Sequence, residues 1–528
     1  MDFLKNTLIK FRNCLRNLFP YNTDSAIELI DALSSNTQAT SAVQLTENSS
    51  YKRHYTTLVA TVSSFYKPRT KQPEEFEEQL VEAKKKIQNT LCQHIKLDDE
   101  PRYQLFAVDV TPNPRPYSKK THDRGFIKAN EVVNGGKPVT IGHNYSCVAY
   151  LTQEASWALP IAIDRVPTDK KDTVFGIKQW CDAIKDKNNN FTGKASVAVF
   201  DAAYSNAYAI SAFNDEQPGD ATFIARLSGN RVLQRPFSGK QAKSGHPNYF
   251  DKKHPFDLKD EKTWGEAHQS DTCPWITKKG KENLVSIQVW QNLRMRGHND
   301  AKIQKTPMTV ARITVQNSSG EMVYKRPLWI VIVGSWPDDR PTSDIWHCYH
   351  KRFDIEHFFK FGKTRLLLAS HQTSSTLTEE NWKQFCMVAT HQLYHSRTLV
   401  NNIKKPWETK KTLNEQVLSP SRVQRGMSAL LDSLPPITPA VKPRGIPIGN
   451  KTGDKIIMRP DHDVIKKSAL KPKDSRSVSI NYTFKKGTDI LKPKIKYNGI
   501  NQDVLPPEII DILEKIQKMP LSQTLPAP

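Results

Sequence analysis

Leu105-Phe106-Ala107-Val108-Asp109 is an unbroken apolar run that ends on a carboxylate, and Val197-Ala198-Val199-Phe200-Asp201 repeats the pattern further along the chain. Short continuous apolar runs of this kind read as strands buried on both faces. A carboxylate directly after such a strand stands where the sheet opens to solvent, the place where open α/β sheets bind ligands. The surroundings fit a sheet of that type. Tyr145–Leu151 and Trp157–Ile163 are two further apolar runs a turn apart. Val174, Ile177, Trp180, Cys181 and Ile184 recur at helical spacing, Asn206–Phe213 reads as a short helix, and Ala221–Leu227 as another strand. The order β-β-β-α-β-α-β predicts an α/β fold: a mixed sheet flanked by helices on both faces.

Outward from this core, the first hundred residues read as helical. Leu4, Leu8, Phe11, Leu15 and Leu18 line one helix face, and Pro73 opens a long charged helix. Residues 228–335 carry polar, Pro- and Gly-rich stretches between strands at Leu284–Trp290, Met308–Val315 and Leu328–Val333. They predict a β-rich insertion. A long helix follows from Ser343 past Lys363, then another over Glu379–Leu399. Beyond residue 400 lie 15 of the 34 Pro, with 23 Lys and Arg against 12 Asp and Glu. That composition predicts an extended basic, Pro-rich arm with short helices such as Pro507–Lys518. The expected organisation is thus 1–100 helical, with possible DNA binding, 101–227 and 336–400 as two parts of one catalytic core, 228–335 as insertion and 401–528 as arm.

The chain has 528 residues and a formal net charge of +23, from 77 Lys and Arg against 54 Asp and Glu. Such an excess points to a polyanionic partner. No apolar run is long enough to span a bilayer, so nucleic acid is expected rather than a membrane. The first residues lack a continuous apolar stretch and do not read as a signal peptide. Seven scattered Cys without a Cys-x-x-Cys pair exclude a disulfide scaffold and a zinc ribbon, as expected of a cytoplasmic protein.

A third element is Tyr349-His350-Lys351-Arg352-Phe353-Asp354-Ile355-Glu356, continuing to Lys363. On one helix Tyr349, Arg352, Glu356 and Lys363 fall within a stripe roughly 60° wide, opposite Ile355, Phe358 and Phe361. An i, i+4 ion pair accounts for Arg352 and Glu356 but not for the whole stripe.

Tyr349-x2-Arg352-x3-Glu356-x6-Lys363 matches the YREK signature. Together with Asp109 and Asp201, it makes the chain resemble the bacterial insertion-sequence DDE transposases, in particular those of insertion-sequence family four and its relative, family seven-hundred-one. The resemblance covers about residues 100–400 and implies an RNase H-like fold with a β-rich insertion between the second Asp and the Glu. It implies cleavage of DNA at transposon ends and joining of the 3′-OH ends to target DNA, with Asp109, Asp201 and Glu356 as catalytic residues and metal ligands. Two Mg²⁺ ions roughly 4 Å apart, with Mn²⁺ able to substitute, suit in-line attack on a phosphodiester and hard oxygen donors. Tyr349 and Arg352 are then expected to hold a displaced nucleotide, and Lys363 and Lys360 to meet the DNA backbone. Arg115, Lys119 and Lys120, in the loop after Asp109, are further candidates for phosphate contacts. Trp264, Trp275 and Trp290 are candidate platforms for a flipped base, each also a plausible core residue. His143, in Gly142-His143-Asn144-Tyr145-Ser146, could approach the metal site. The expected partners are double-stranded transposon ends and target DNA, bound by a nucleoid-associated homodimer. Two alternatives stay open: an RNase H-like nuclease without strand transfer, and a transposase-derived DNA-binding protein without catalysis.

Overall fold

The computed structural model describes residues 2–65, 72–97, 103–128, 138–154, 157–216, 218–241, 248–277, 280–296, 301–337, 340–401, 403, 418–443, 459–466, 477–484 and 491–498. Two compact units separate at residue 463.

The first unit begins with helices α1 (Asp2–Arg16), α2 (Thr23–Ser35), α3 (Ala42–Leu45), α4 (Tyr55–Ser64) and α5 (Pro73–Gln93). The core follows: β1 (Gln104–Pro114), β2 (Gly125–Lys128), β3 (Val139–Leu151), β4 (Ala158–Val166), α6 (Asp172–Lys185), β5 (Ser196–Phe200), α7 (Ala207–Glu216) and β6 (Ala221–Leu227). Next come β7 (Val232–Pro236), β8 (Phe250–Asp257), β9 (Gln269–Ile276), β10 (Glu282–Leu293), α8 (Ala301–Lys305), β11 (Met308–Asn317) and β12 (Leu328–Gly334). Helices α9 (Ser343–Lys351), α10 (Phe353–Arg365), α11 (Thr376–Asn401) and α12 (Pro420–Asp432) complete the unit.

One mixed sheet of ten strands runs β2-β3-β1-β5-β6-β12-β11-β10-β9, with β4 also on β3. Strands β3 and β1 are antiparallel, whereas β1, β5 and β6 are parallel. The sub-order β4-β3-β1-β5-β6 is consistent with an RNase H-like core. Strand β12 adds antiparallel to β6, so the strands of the insertion continue the core sheet instead of forming a separate one. The pair β7–β8 stands apart as a small sheet.

Side chains alternate across a strand, and this alternation gives the sheet two differently covered faces. On β3, Ser146 points towards Gly176 of α6, and Tyr145 points the other way, to Glu379 of α11. Helix α11 is buried along nearly its whole length. Several of its polar side chains are paired within the fold, as buried polar groups tend to be. Asn381 donates to the carbonyl of Val62, Gln384 to that of Ile163, and Gln392 to Asp31 of α2.

Three readings change. Strand β1 does not end at Asp109 but runs five residues further, because β3 keeps pairing with it as far as Pro114, opposite Gly142. The sheet opens on the other side, where β5 stops pairing at Ala107, opposite Val199. The helix expected from Ser343 past Lys363 is broken at Arg352, where the amide of Arg352 bonds the carbonyl of Tyr349 and that of Ile355 bonds Arg352 in tighter i, i+3 turns. The arm is not wholly extended: α12 buries Val423, Met427 and Leu430, and Gln424 donates to the carbonyl of Leu33. The expected helix at Pro507–Lys518 lies outside the described residues.

The second unit contains an antiparallel strand pair, β13 (Ser477–Phe484) and β14 (Leu491–Asn498), in register from Ser477 opposite Asn498. No helix among the described residues is long and apolar enough to cross a membrane.

Candidate active site

Asp109 lies on β1 two residues beyond Ala107, the last residue paired with β5, beside the gap that the shorter strand leaves. Asp201 follows β5 directly and caps a turn of 3₁₀ helix by accepting from the amide of Ala203. Helix α10 buries Ile355, Phe358, Phe359 and Phe361. Each such side chain is worth about 1.5–3 kcal/mol, and together they fix the helix so that Glu356 comes up beside the same gap.

The three carboxylates feel one another. Burial pushes the Asp109 carboxyl up to about 6, helped by the charge of Asp201 and, more weakly, of Glu356, while the amide of Val110 and the guanidinium of Arg352 pull it back. Arg352 stands among them. It donates to Glu356 Oε1 at 2.6 Å and lies 4.0 Å from Asp109 Oδ2, with its side chain 9 % exposed against 48 % for Glu356. Its Nε has no partner among the described residues. Its guanidinium also sits over Phe353 and Tyr349, 4.9 Å and 5.8 Å from the ring centroids.

Tyr349 is buried, not on an open stripe, and burial raises its hydroxyl pKa. Lys363 is half-buried, its ammonium pushed down by burial and drawn up by the charge of Asp109. The break at Arg352 shifts the register between Tyr349 and the rest, so Tyr349 and Arg352 are buried while Glu356 stays exposed.

The other candidates lie elsewhere. Lys360 is exposed on α10, one turn beyond Glu356. Lys119 is exposed, and Lys120 pairs with Asp461 at 2.8 Å. Arg115 is buried at 2 % exposure, its Nε 2.8 Å from Glu379 Oε2, so it is turned away from any phosphate. His143 is likewise buried against Glu379 and the carbonyl of His122, not against the three carboxylates. Trp264 and Trp290 pack with Trp329 in the interior of the insertion. Trp275 is only half-buried, its ring 4.9 Å from His350 and 5.2 Å from Trp346.

Two residues the sequence reading passed over belong to the picture. Arg226 is the one exposed side chain of the otherwise buried β6, and its charge reaches Tyr349. A lone Arg inside an apolar strand was a usable signal. Glu379 gave none, because a carboxylate near the start of a helix reads as a solvated one.

The donor set Asp109, Asp201 and Glu356 is all hard oxygen, which suits Mg²⁺, and mutually repelling, partly buried carboxylates are what a divalent cation neutralises. Among the described residues no three His, Cys, Asp or Glu side chains are gathered tightly enough to hold an ion as they stand. The nearest obstacle is the grip of Arg352 on Glu356.

The family described as DDE superfamily endonuclease matches residues 14–284, which takes in Asp109 and Asp201 and stops short of α10. This family typically uses divalent metals and acts on DNA. No curated protein matches the chain. Among solved structures, the C-terminal lobe of a budding yeast Argonaute aligns at 11 % identity over 67 % of this chain and 62 % of that chain, with a TM-score of 0.18, a likeness that carries no argument.

Proposed function

The chain belongs to the family of DDE superfamily endonucleases, and on that premise we propose that it is an insertion-sequence transposase of the YREK type, which cuts DNA at transposon ends and joins the 3′-OH ends to target DNA. The observation that carries this reading is the meeting of Arg352 with both Glu356 and Asp109 beside Asp201. It supports bringing the signature helix, which lies beyond the family match, into the same site as the two aspartates.

Asp109, Asp201 and Glu356 would hold the metal ions. Two bound Mg²⁺ ions supply Lewis-acid stabilisation of the entering and leaving oxygens and a deprotonated water. The protein's own part is placement. The guanidinium of Arg352 offers a fork for a phosphate of the cut strand, and Tyr349 a ring beside it. Lys363 adds positive charge close to Asp109. Lys119, Lys120 and Lys360 serve as outlying contacts to the backbone, and Trp275 as a surface for an unstacked base. The working form is a homodimer on DNA, in the cytoplasm with the nucleoid.

The experiment uses a plasmid carrying the gene with its flanking DNA, incubated with purified protein, Mg²⁺ and a second, target plasmid. Excised ends covalently joined to the target, absent with Asp109→Ala, support transposition. Nicked plasmid without joined product assigns the chain to the nucleases instead, and no cleavage at all to the binding proteins.

A further inference from the structure

Helix α10 ends at Arg365, and the chain then turns sharply. Leu367 adopts φ 58°, the left-handed region that an L side chain rarely enters, although it is fully buried. The amide of Leu368 bonds back to the carbonyl of Gly362 at 2.9 Å, closing the helix. A strained backbone persists only where its surroundings over-determine it, and here they do. The carbonyl of Leu366 accepts from Cys386 Sγ at 3.1 Å, that of Leu367 from Trp382 Nε1 at 2.7 Å, and that of Leu368 from Lys383 Nζ. The carbonyls of Ala369 and His371 accept from the guanidinium of Arg115, at 3.4 Å and 2.7 Å.

Among these donors, Arg115 also bonds a buried carboxylate. Glu379 accepts from Arg115 Nε at 2.8 Å, Asn113 Nδ2 at 2.6 Å, Tyr145 OH at 2.7 Å and His143 Nδ1 at 3.0 Å. Lys383 closes the circle by donating to Asn113 Oδ1 at 3.2 Å. Asn113 and Arg115 lie just downstream of Asp109 on the same stretch of chain. One side of the network therefore holds the strand that carries Asp109, and the other holds the end of the helix that carries Glu356 and Lys363.

We propose that Glu379, through Arg115 and Lys383, is a positioning residue for DNA cleavage: it fixes the C-terminal end of α10 to β1 and so sets the reach of Glu356 towards Asp109. A buried hydrogen-bonded network around one carboxylate has few low-energy geometries, because a slip leaves a buried polar group without its partner. This inference rests on the reading that Asp109 and Glu356 act together.

The test uses the full chain with Cys14→Ser and Cys273→Ser, the two cysteines that are not buried. Nitroxides are attached at the exposed positions Thr364→Cys, on α10, and Tyr117→Cys, just beyond β1. Three quantities are read: the distance distribution between the labels, the dissociation constant for supercoiled plasmid, and the rate of Mg²⁺-dependent nicking of that plasmid. Glu379→Gln should broaden the distance distribution and slow nicking by roughly 10²-fold, the effect of an ångström-scale misplacement, with plasmid affinity within about twofold. Should Glu379→Gln fail to fold, Trp382→Phe decides. It removes the bond to the Leu367 carbonyl and trims the buried ring stacked on His371, and should give the same changes in smaller measure. A distance distribution like the parent's, with nicking reduced only in proportion to the folded fraction, overturns the proposal. Asp109→Ala tests the underlying reading separately: continued nicking there removes that reading, whereas the label distance reports on the clamp regardless of cleavage.

Discussion

Arg352 donates to Glu356 at 2.6 Å and lies 4.0 Å from Asp109, so a single guanidinium touches one carboxylate of the site and approaches another. That position allows two roles. Arg352 can hold Glu356 in place, or it can exchange Glu356 for a phosphate of the cut strand, which its fork fits equally well. The exposure of Glu356 against the burial of Arg352 favours exchange, because the carboxylate can swing into water while the guanidinium stays. An Arg352→Ala protein should then keep first-strand nicking better than later steps, and a mismatched base at the transposon end should partly restore those steps, since unstacking such a base costs a few kcal/mol less. A nicking assay on paired and mismatched end substrates checks this. Equal failure of Arg352→Ala and Glu356→Ala at the first nick, without rescue, would leave Arg352 as a mere prop.

Removing any of Asp109, Asp201 or Glu356 as Ala should abolish Mg²⁺-dependent cleavage, by at least about 10³-fold, because each loss forfeits several kcal/mol of charge stabilisation. Binding to DNA should be little changed, as none of the three is a cation. Chelating the divalent ion should have the same effect on the parent and be reversed by Mg²⁺ or Mn²⁺. Gel-shift affinity measured beside cleavage separates the two properties.

Stability in acid should depend on Glu379. Its bonds to His143 and the charges of Arg115 and Lys383 hold its carboxyl well below the ordinary value of 4.5, against the opposing effect of burial. A folded-state value below the unfolded one means that the unfolded chain binds the proton first. Stability from this group is therefore complete above about pH 4.5 and is lost as pH falls through the folded value. Glu379→Gln should lower the melting temperature at pH 7, by an amount in line with the roughly 3–5 kcal/mol of a broken buried pair. It should lose less than the parent between pH 5 and pH 3. Parallel melting curves for the two proteins across that range would show that Glu379 is not the group being titrated.

The core was legible in the sequence because its strands are buried on both faces and so read as plain apolar runs. Leu105–Val108, Val197–Phe200 and Ala221–Leu227 all lie in strands of the central sheet. The extent of β1 was not legible. Thr111, Asn113 and Arg115 look like the start of a loop, and they are buried only because Glu379, some 265 residues away in sequence, pairs with two of them. The same long-range pairing turned Arg115 and His143 from candidate ligands of the site into interior residues. The pairing of Arg352 with Glu356 was readable from their i, i+4 spacing. The break at Arg352 was not, as no Pro or Gly marks it. It follows from packing α9 and α10 against different neighbours, β5 and β9 for the first, β1, β3 and β4 for the second.

The last prediction concerns the basic end of the chain. Residues 467–528 carry eleven Lys and Arg against six Asp and Glu. Upstream of them, Asp461 and His462 are tied to the loop that follows β1: the amide of His462 bonds the carbonyl of Lys119 at 3.0 Å, Arg124 donates to the carbonyl of His462 at 3.1 Å, and Lys120 pairs with Asp461. A truncation after Lys466 should therefore leave the first unit intact while removing those eleven Lys and Arg. If those charges neutralise phosphates, the truncated protein should bind all DNA sequences more weakly, and the slope of log K against log salt should flatten by about 0.9 for each phosphate no longer neutralised. Cleavage per bound molecule should stay near the parent's, because Asp109, Asp201 and Glu356 all lie in the first unit. An unchanged salt slope would mean that the end serves another partner. A dimer that falls apart on truncation, read by light scattering at the same salt, would assign it to the contact between two copies of the chain.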